Sequence, residues 1–254
     1  MKPVDVSEKH ILITGAGSGI GAAAATLLGA RGATIGVADI NESNAQSVVD
    51  HIIADGGNAY ALTVDVRDPA SITSMFSDAI SNGGAIQTII NNAGIDHKPA
   101  PMLAVSEETL AANIAVNLTG VWLCMKGAIA HMLENGGGQV INIASVAGLK
   151  ASPTLSAYSA TKHAVVGLSK TAAVEYARAN IRVNAVCPSF VDTPMVQSVL
   201  ASLDERGQRA IVGANPMKRL GKAQEIASAI AWLCSDESSF MTGQSVVLDG
   251  GLTS

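Results

Sequence analysis

Thr14-Gly15-Ala16-Gly17-Ser18-Gly19-Ile20-Gly21 follows the apolar run Ile11-Leu12-Ile13 and leads into an Ala-rich stretch over 20–31. Alternate glycines between a strand-like and a helix-like segment leave few folds open. Backbone can turn sharply there and approach a pyrophosphate closely, and the helix that follows offers free N–H groups and a positive dipole end. A glycine-rich structural turn would share the composition. The strand before and the helix after favour dinucleotide binding.

The same alternation continues along the chain. Strand-like runs at 11–13, 34–38, 60–64, 88–90, 139–143, 182–186 and 245–248 are separated by helix-like stretches. This predicts an α/β fold: a Rossmann-type, doubly wound, parallel seven-stranded sheet with helices on both faces. With 254 residues, 48% of them hydrophobic, one domain spanning 1–254 is expected. Aromatics are 3%, so the core must be built from Ala, Val, Ile and Leu. The segment 189–216 carries Pro194, Gly213 and Pro216 and reads as an irregular flap over a substrate site.

Charge and cysteine usage narrow the setting. The net charge is -5 and no basic run occurs, which argues against nucleic acid. No signal-peptide stretch opens the chain, and no uninterrupted apolar run reaches membrane-spanning length. Cys124, Cys187 and Cys234 are far apart and lie in apolar runs, as expected of buried free thiols in a reducing, cytoplasmic setting. The five histidines show no ligand spacing, so no metal is expected.

Asp39 closes the second strand, 18 residues beyond Gly21. A carboxylate there accepts hydrogen bonds from the adenosine ribose hydroxyls and repels a 2′-phosphate. Asn41 is available to cap the next helix, which frees Asp39 for the ribose.

Tyr158 and Lys162 are four residues apart, on one face of a helix. Tyrosine titrates near ~10, and a neighbouring ammonium stabilises the phenolate and lowers that value. Ser145 follows the fifth strand, where its hydroxyl can orient a substrate oxygen toward Tyr158.

These motifs, taken together, resemble the short-chain dehydrogenase/reductase family over essentially the whole chain. The resemblance is carried by Thr14, Gly15, Gly19 and Gly21 in the T-G-x-x-x-G-x-G spacing, Asn91-Asn92-Ala93-Gly94, Asn117, Ser145, Tyr158-Ser159-Ala160-Thr161-Lys162, Pro188 and Thr193. It implies catalytic roles for Asn117, Ser145, Tyr158 and Lys162. Asn117, in its N-x-x-G context, would distort a helix and position a water linking the lysine to solvent; Asn113 lacks that context. The resemblance implies NAD contacts from Gly15, Ser18, Gly19, Ile20, Asp39, Asp65, Val66, Asn91, Ala93, Gly94, Tyr158, Lys162, Pro188, Val191 and Thr193. Asn92 would brace the sheet. NADP-preferring members place a basic residue in the glycine turn or after the second strand, where this chain has Ala16, Ser18, Ile40 and Asn41. Ser189 departs from the family's usual glycine after Pro188.

The implied activity is hydride transfer between NAD(H) and a secondary alcohol or ketone. Ser145, Ala147, Leu149, Leu155, Tyr158, Phe190 and Met195 are the expected substrate residues, with Val146, Val196 and Val199 around them. Because most are apolar and the flap has no Arg or Lys before Arg206, a neutral, largely apolar substrate is expected. Asp96, His97 and Lys98 could swing inward and supply polarity, although a solvated loop suits His97 better. A 3-oxoacyl-carrier-protein reductase, a sugar dehydrogenase and a non-catalytic dinucleotide sensor are the alternatives. A homotetramer with D2 symmetry is expected from the apolar helices at 111–132 and 157–177 and from the tail Leu248-Asp249-Gly250-Gly251.

Overall fold

The computed structural model describes residues 4–254. Its strands are β1 (His10–Thr14), β2 (Thr34–Asp39), β3 (Asn58–Thr63), β4 (Thr88–Asn91), β5 (Gly138–Ile143), β6 (Ile181–Pro188), β7 (Val191–Asp192), β8 (Gly221–Lys222) and β9 (Ser245–Leu248). The helices are α1 (Gly19–Gly29), α2 (Glu42–Ala54), α3 (Pro69–Gly83), α4 (Glu107–Ile114), α5 (Val121–Glu134), α6 (Ser156–Tyr176), α7 (Pro194–Ala201), α8 (Glu205–Val212) and α9 (Ala223–Cys234).

Seven strands form one parallel sheet in the order β3-β2-β1-β4-β5-β6-β9. A sheet covered on both faces favours strands that are apolar throughout, and β1 is buried at every position. Its side chains alternate: Ile11 and Ile13 join the layer of α1, α2 and α9, while Leu12 joins that of α3, α5 and α6. The chain winds outward from β1 to β3 and then returns to β4. The strand order therefore reverses between β1 and β4, the place where open α/β sheets bind ligands at their carboxyl ends.

Between α4 and α5 the helix widens into a π-helical segment, Ala115–Gly120. Such segments concentrate at functional sites. Gly120 lets the segment lie against the loop after β3, since a Cβ there would sit 2.9 Å from the Val66 carbonyl oxygen. The combined helix Glu107–Glu134 is long and apolar enough to cross a membrane by length and composition, with mean hydropathy 1.2. It is not an uninterrupted apolar run, since Asn113, Asn117, Thr119 and Lys126 fall within it. Its inner face is engaged in the protein core, where Cys124, Met125, Ala128, Ile129 and Met132 are buried.

The segment 189–216 is more regular than expected. Thr193 accepts a hydrogen bond from the Val196 N–H and Pro194 occupies the first turn, which starts α7. Asp204 caps α8. The two-residue strands β7 and β8 pair with each other beside these helices. All three cysteines are free and buried.

Candidate active site

The turn after β1 needs its glycines. Gly15 and Gly19 adopt φ of 63° and 55°, the left-handed region that glycine enters at little cost. A Cβ on Gly15 would lie 2.7 Å from the Ala93 Cα, and one on Gly21 would collide with the Gly15 carbonyl. Ser18 precedes α1 in extended conformation and its side chain makes no capping bond, which leaves the first N–H groups of α1 free for an anion.

Asp39 is tied to this turn. Its Oδ2 accepts from the Gly17 N–H at 2.8 Å and its Oδ1 from the Asn41 N–H at 2.9 Å. Asn41, not Asp39, caps α2 by accepting from the Asn44 N–H. Asn92 donates to the carbonyls of Thr14 and Gly15 at 3.2 and 2.7 Å, so it braces the glycine turn itself.

A cleft of about 560 Å³ runs over the carboxyl ends of the strands. Gly15, Ser18, Gly19, Ile20 and Asp39 line one end. Asp65 and Val66 follow, then Ala93 and Gly94. Ser145, Tyr158 and Lys162 line the cleft beyond β5, and Pro188, Val191 and Thr193 complete the lining, with Thr193 reaching back to Gly19, 3.4 Å from where a Cβ there would sit. A dinucleotide fits this arrangement of a backbone cradle, free helix N–H groups and a carboxylate beyond them. Of the expected substrate residues, Ala147, Leu155, Phe190 and Met195 line it, as do Val146, Val196 and Val199.

Three expected residues lie elsewhere. The Asn91 side chain donates to Asn142 at 2.8 Å inside the sheet and does not line the cleft. Leu149 also lies outside the lining: it follows the short 3₁₀ turn Val146–Gly148 and is 36% exposed. Asn117 is fully buried behind the cleft. Its amide donates to the Ile95 carbonyl at 2.7 Å and accepts from the Ile95 N–H at 2.8 Å. It also donates to Asn113 and Thr161, at 3.2 and 3.3 Å. Gly94 lies between Asn117 and Lys162: a Cβ there would be 3.3 Å from one and 3.6 Å from the other.

Sequence reasoning passed over Arg67, Ile95, Pro99 and Ile211, which also line the cleft. Arg67 binds Asp65 at 2.6 Å and holds that carboxyl below its usual range. Asp96 lines the cleft and His97 does not; the His97 Nδ1 lies 3.0 Å from the Lys98 carbonyl. Ser189 lines the cleft and its N–H donates to the Leu248 carbonyl at 3.1 Å. Its φ is not in the left-handed region, so serine is accommodated where glycine was expected.

The chemistry-bearing end has a defined geometry. Ser145 Oγ accepts from the Ala147 N–H at 3.1 Å, which orients the hydroxyl. Lys162 is buried, donates to the Ile143 carbonyl at 2.8 Å, and has its Nζ 5.5 Å from the centroid of the Tyr158 ring. Burial pushes the Lys162 ammonium down to about 8. The Tyr158 phenol is pushed up to about 12, mainly by burial, with Ser145 opposing and Asp96 and Cys187 reinforcing the rise. The expected lowering by Lys162 is therefore not met in this state: burial dominates, and the opposing pull comes from Ser145. The phenol is a proton donor across the neutral range.

The chain matches, over residues 15–253, a family model described as enoyl-(acyl carrier protein) reductase. It is 40% identical over 248 residues to the cyclohexanol dehydrogenase of Acinetobacter sp. (strain SE19), covering 98% of this chain and 96% of that one. Among solved structures, levodione reductase superposes with a TM-score of 0.93 at 34% identity, covering 96% and 97% of the two chains. The 3-ketoacyl-(acyl-carrier-protein) reductase of Brucella melitensis, complexed with NADH, gives 0.91 at 34% identity, covering 98% and 100%.

Proposed function

The chain belongs to the short-chain dehydrogenase/reductase family, and on that premise we propose that it is an NAD(H)-dependent oxidoreductase interconverting a neutral, largely apolar secondary alcohol and its ketone. The observation that carries this reading is the convergence of Ser145, Tyr158 and Lys162 at one end of a cleft whose other end presents Asp39.

NAD would be held by the Gly15–Gly21 turn, by Asp39 at the adenosine ribose, and by Lys162 and Thr193 at the nicotinamide end. The bound cofactor supplies the hydride acceptor or donor and, when oxidised, a positive ring charge that favours the phenolate. Asp39 supports NAD over NADP, because a carboxylate lining the cleft at the end of β2 would accept from the ribose hydroxyls and repel a 2′-phosphate. The NADH complex of the Brucella neighbour agrees with that choice.

The protein's own part is proton transfer and orientation. Ser145 donates to the substrate oxygen and aims it at Tyr158. In reduction, the Tyr158 hydroxyl gives its proton to the carbonyl oxygen as the carbinol forms. In oxidation, the phenolate takes the hydroxyl proton. Lys162, held by the Ile143 carbonyl beneath the Tyr158 ring, stabilises the phenolate. Asn117 fixes the backbone of Ile95, which lines the cleft.

Apolar residues dominate the substrate end, in keeping with the cyclic alcohol and ketone substrates named for the relatives. Acyl-thioester ketones are a second class, favoured by the Brucella neighbour's activity. A soluble, cytoplasmic homotetramer fits the buried thiols and the exposed apolar side chains Leu110, Ile114, Trp122 and Val174. A panel of neutral secondary alcohols with NAD⁺ and NADP⁺, and of 3-oxoacyl thioesters with NADH and NADPH, tests the reading. Turnover of cyclic alcohols with NAD⁺ supports it; turnover confined to thioesters with NADPH contradicts it.

A further inference from the structure

Asp96 is a half-buried carboxylate that the proton-transfer chemistry does not use. Its loop is anchored at both ends. Asn117 holds both backbone polar groups of Ile95, the residue before it. Downstream, the Ala100 N–H donates to the Thr154 carbonyl at 3.0 Å and ties the loop to the segment leading into Tyr158. Thr154 itself has φ 68°, a strained conformation for a β-branched residue. The backbone around Asp96 is thus fixed rather than free to carry the side chain into solvent.

Asp96 shares the cleft with apolar side chains, among them Leu155, Met195 and Val199, and with the hydroxyls of Ser145 and Tyr158. It makes no side-chain hydrogen bond or ion pair with another residue among those described. Asp96 and Tyr158 line the same cleft. Partial burial raises the Asp96 pKa, opposed only by its own backbone N–H and by His97, so a hydroxyl donor in the cleft would stabilise the charged form. The cleft's ammonium, Lys162, is already engaged at Ile143, and Arg67 is engaged at Asp65.

We propose that Asp96 accepts a hydrogen bond from a second hydroxyl on the substrate, so that the preferred substrates are cyclic diols or hydroxyketones rather than simple cyclic alcohols. This rests on the secondary-alcohol reading above and specifies its substrate. An apolar ring fills the cleft, one carbinol faces Ser145 and Tyr158, and the other donates to Asp96. A substrate carrying a carboxylate at that end is repelled.

The test compares kcat/KM for cyclohexanol with that for each positional isomer of cyclohexanediol, in wild type, Asp96→Ala and Asp96→Asn, with NAD⁺. In wild type at least one diol exceeds cyclohexanol by about tenfold or more, the scale of one hydrogen bond to a charged acceptor. In Asp96→Ala that ratio collapses toward one, and Asp96→Asn falls between. A pH profile gives a second readout. The groups facing Tyr158 are Asp96 on the loop after β4, Lys162 on α6, Cys187 on β6 and the Ser145 hydroxyl after β5. Removing the Asp96 charge shifts the rise of alcohol oxidation with pH, which follows formation of the Tyr158 phenolate, to lower pH, and loss of packing alone would not do so. A diol preference that is absent, or that persists in Asp96→Ala, overturns the assignment while leaving cyclohexanol oxidation intact. Absence of turnover with cyclohexanol and every diol overturns both readings together.

Discussion

The Gly17 N–H donates to Asp39 Oδ2 at 2.8 Å, and a Cβ on Gly17 would lie 2.9 Å from that same oxygen. The glycine turn and the carboxylate proposed to read the ribose are therefore joined, and a side chain at residue 17 would force Asp39 or Asn44 to shift. Replacing Asp39 with Ala and Ile40 with Arg removes the repelling carboxylate and supplies a cation for a 2′-phosphate. The NAD⁺ to NADP⁺ ratio of kcat/KM is expected to fall by about ten- to a hundredfold. Steady-state kinetics with both cofactors checks this, and an unmoved ratio would show that Asp39 does not select the cofactor.

Lys162 is buried at a cost to stability. Its ammonium titrates near 8 in the folded protein against 10.5 for the ordinary group. The folded chain thus holds fewer protons than the unfolded chain between those values, and stability rises with pH across that window. Below it the full penalty applies, on the order of 3 kcal/mol. Lys162→Met should therefore be inactive yet more stable than wild type at pH 7, by about 1–3 kcal/mol once the lost bond to Ile143 is allowed for. Urea unfolding at neutral and alkaline pH reads the effect, and the advantage should shrink as pH rises. A destabilised variant at neutral pH would contradict it.

His10 gives the fold a pH dependence of its own. Its Nε2 lies 2.6 Å from the Tyr60 hydroxyl and its Nδ1 lies 3.2 Å from the Gly84 carbonyl, at a site where burial lowers its pKa below 6.5. The folded state holds it neutral, so its contribution is complete above the unfolded value and is lost as pH falls through the lowered folded value. His10→Gln should be less stable at pH 7 but show a shallower loss between neutral and mildly acidic pH. Thermal melts across that range decide the matter; parallel slopes would remove His10 from the account of acid sensitivity.

The exposed apolar side chains of Trp122, Leu110, Ile114 and Val174 bear on assembly. Sedimentation at micromolar concentration is expected to show a tetramer. Val174→Arg should shift it to smaller species that keep the wild-type circular dichroism. A monomeric wild type would refute this.

Much of this was legible because parallel strands, buried on both faces, read as short apolar runs between helices. The glycine turn and Asp39 were legible because few other residues suit those positions. Leu149 was misplaced because apolar character does not tell which side of a 3₁₀ turn a side chain leaves from. Asn91 and Asn92 are adjacent and chemically identical, and only the strand's alternation decides which faces the sheet and which the turn. The regularity of 194–212 was hidden in two capping residues, Thr193 and Asp204, amid proline and glycine. The raised Tyr158 pKa depends on burial, which spacing cannot reveal.

The central claim is that Tyr158 moves the proton during NAD-linked oxidation of a secondary alcohol. Formation of NADH from cyclohexanol by wild type and Tyr158→Phe, alongside NADH binding followed by fluorescence, tests it most directly. The expected result is a loss of turnover of about a hundred- to ten-thousandfold with NADH binding within a few-fold of wild type. Retention of a tenth or more of the activity in Tyr158→Phe would contradict it.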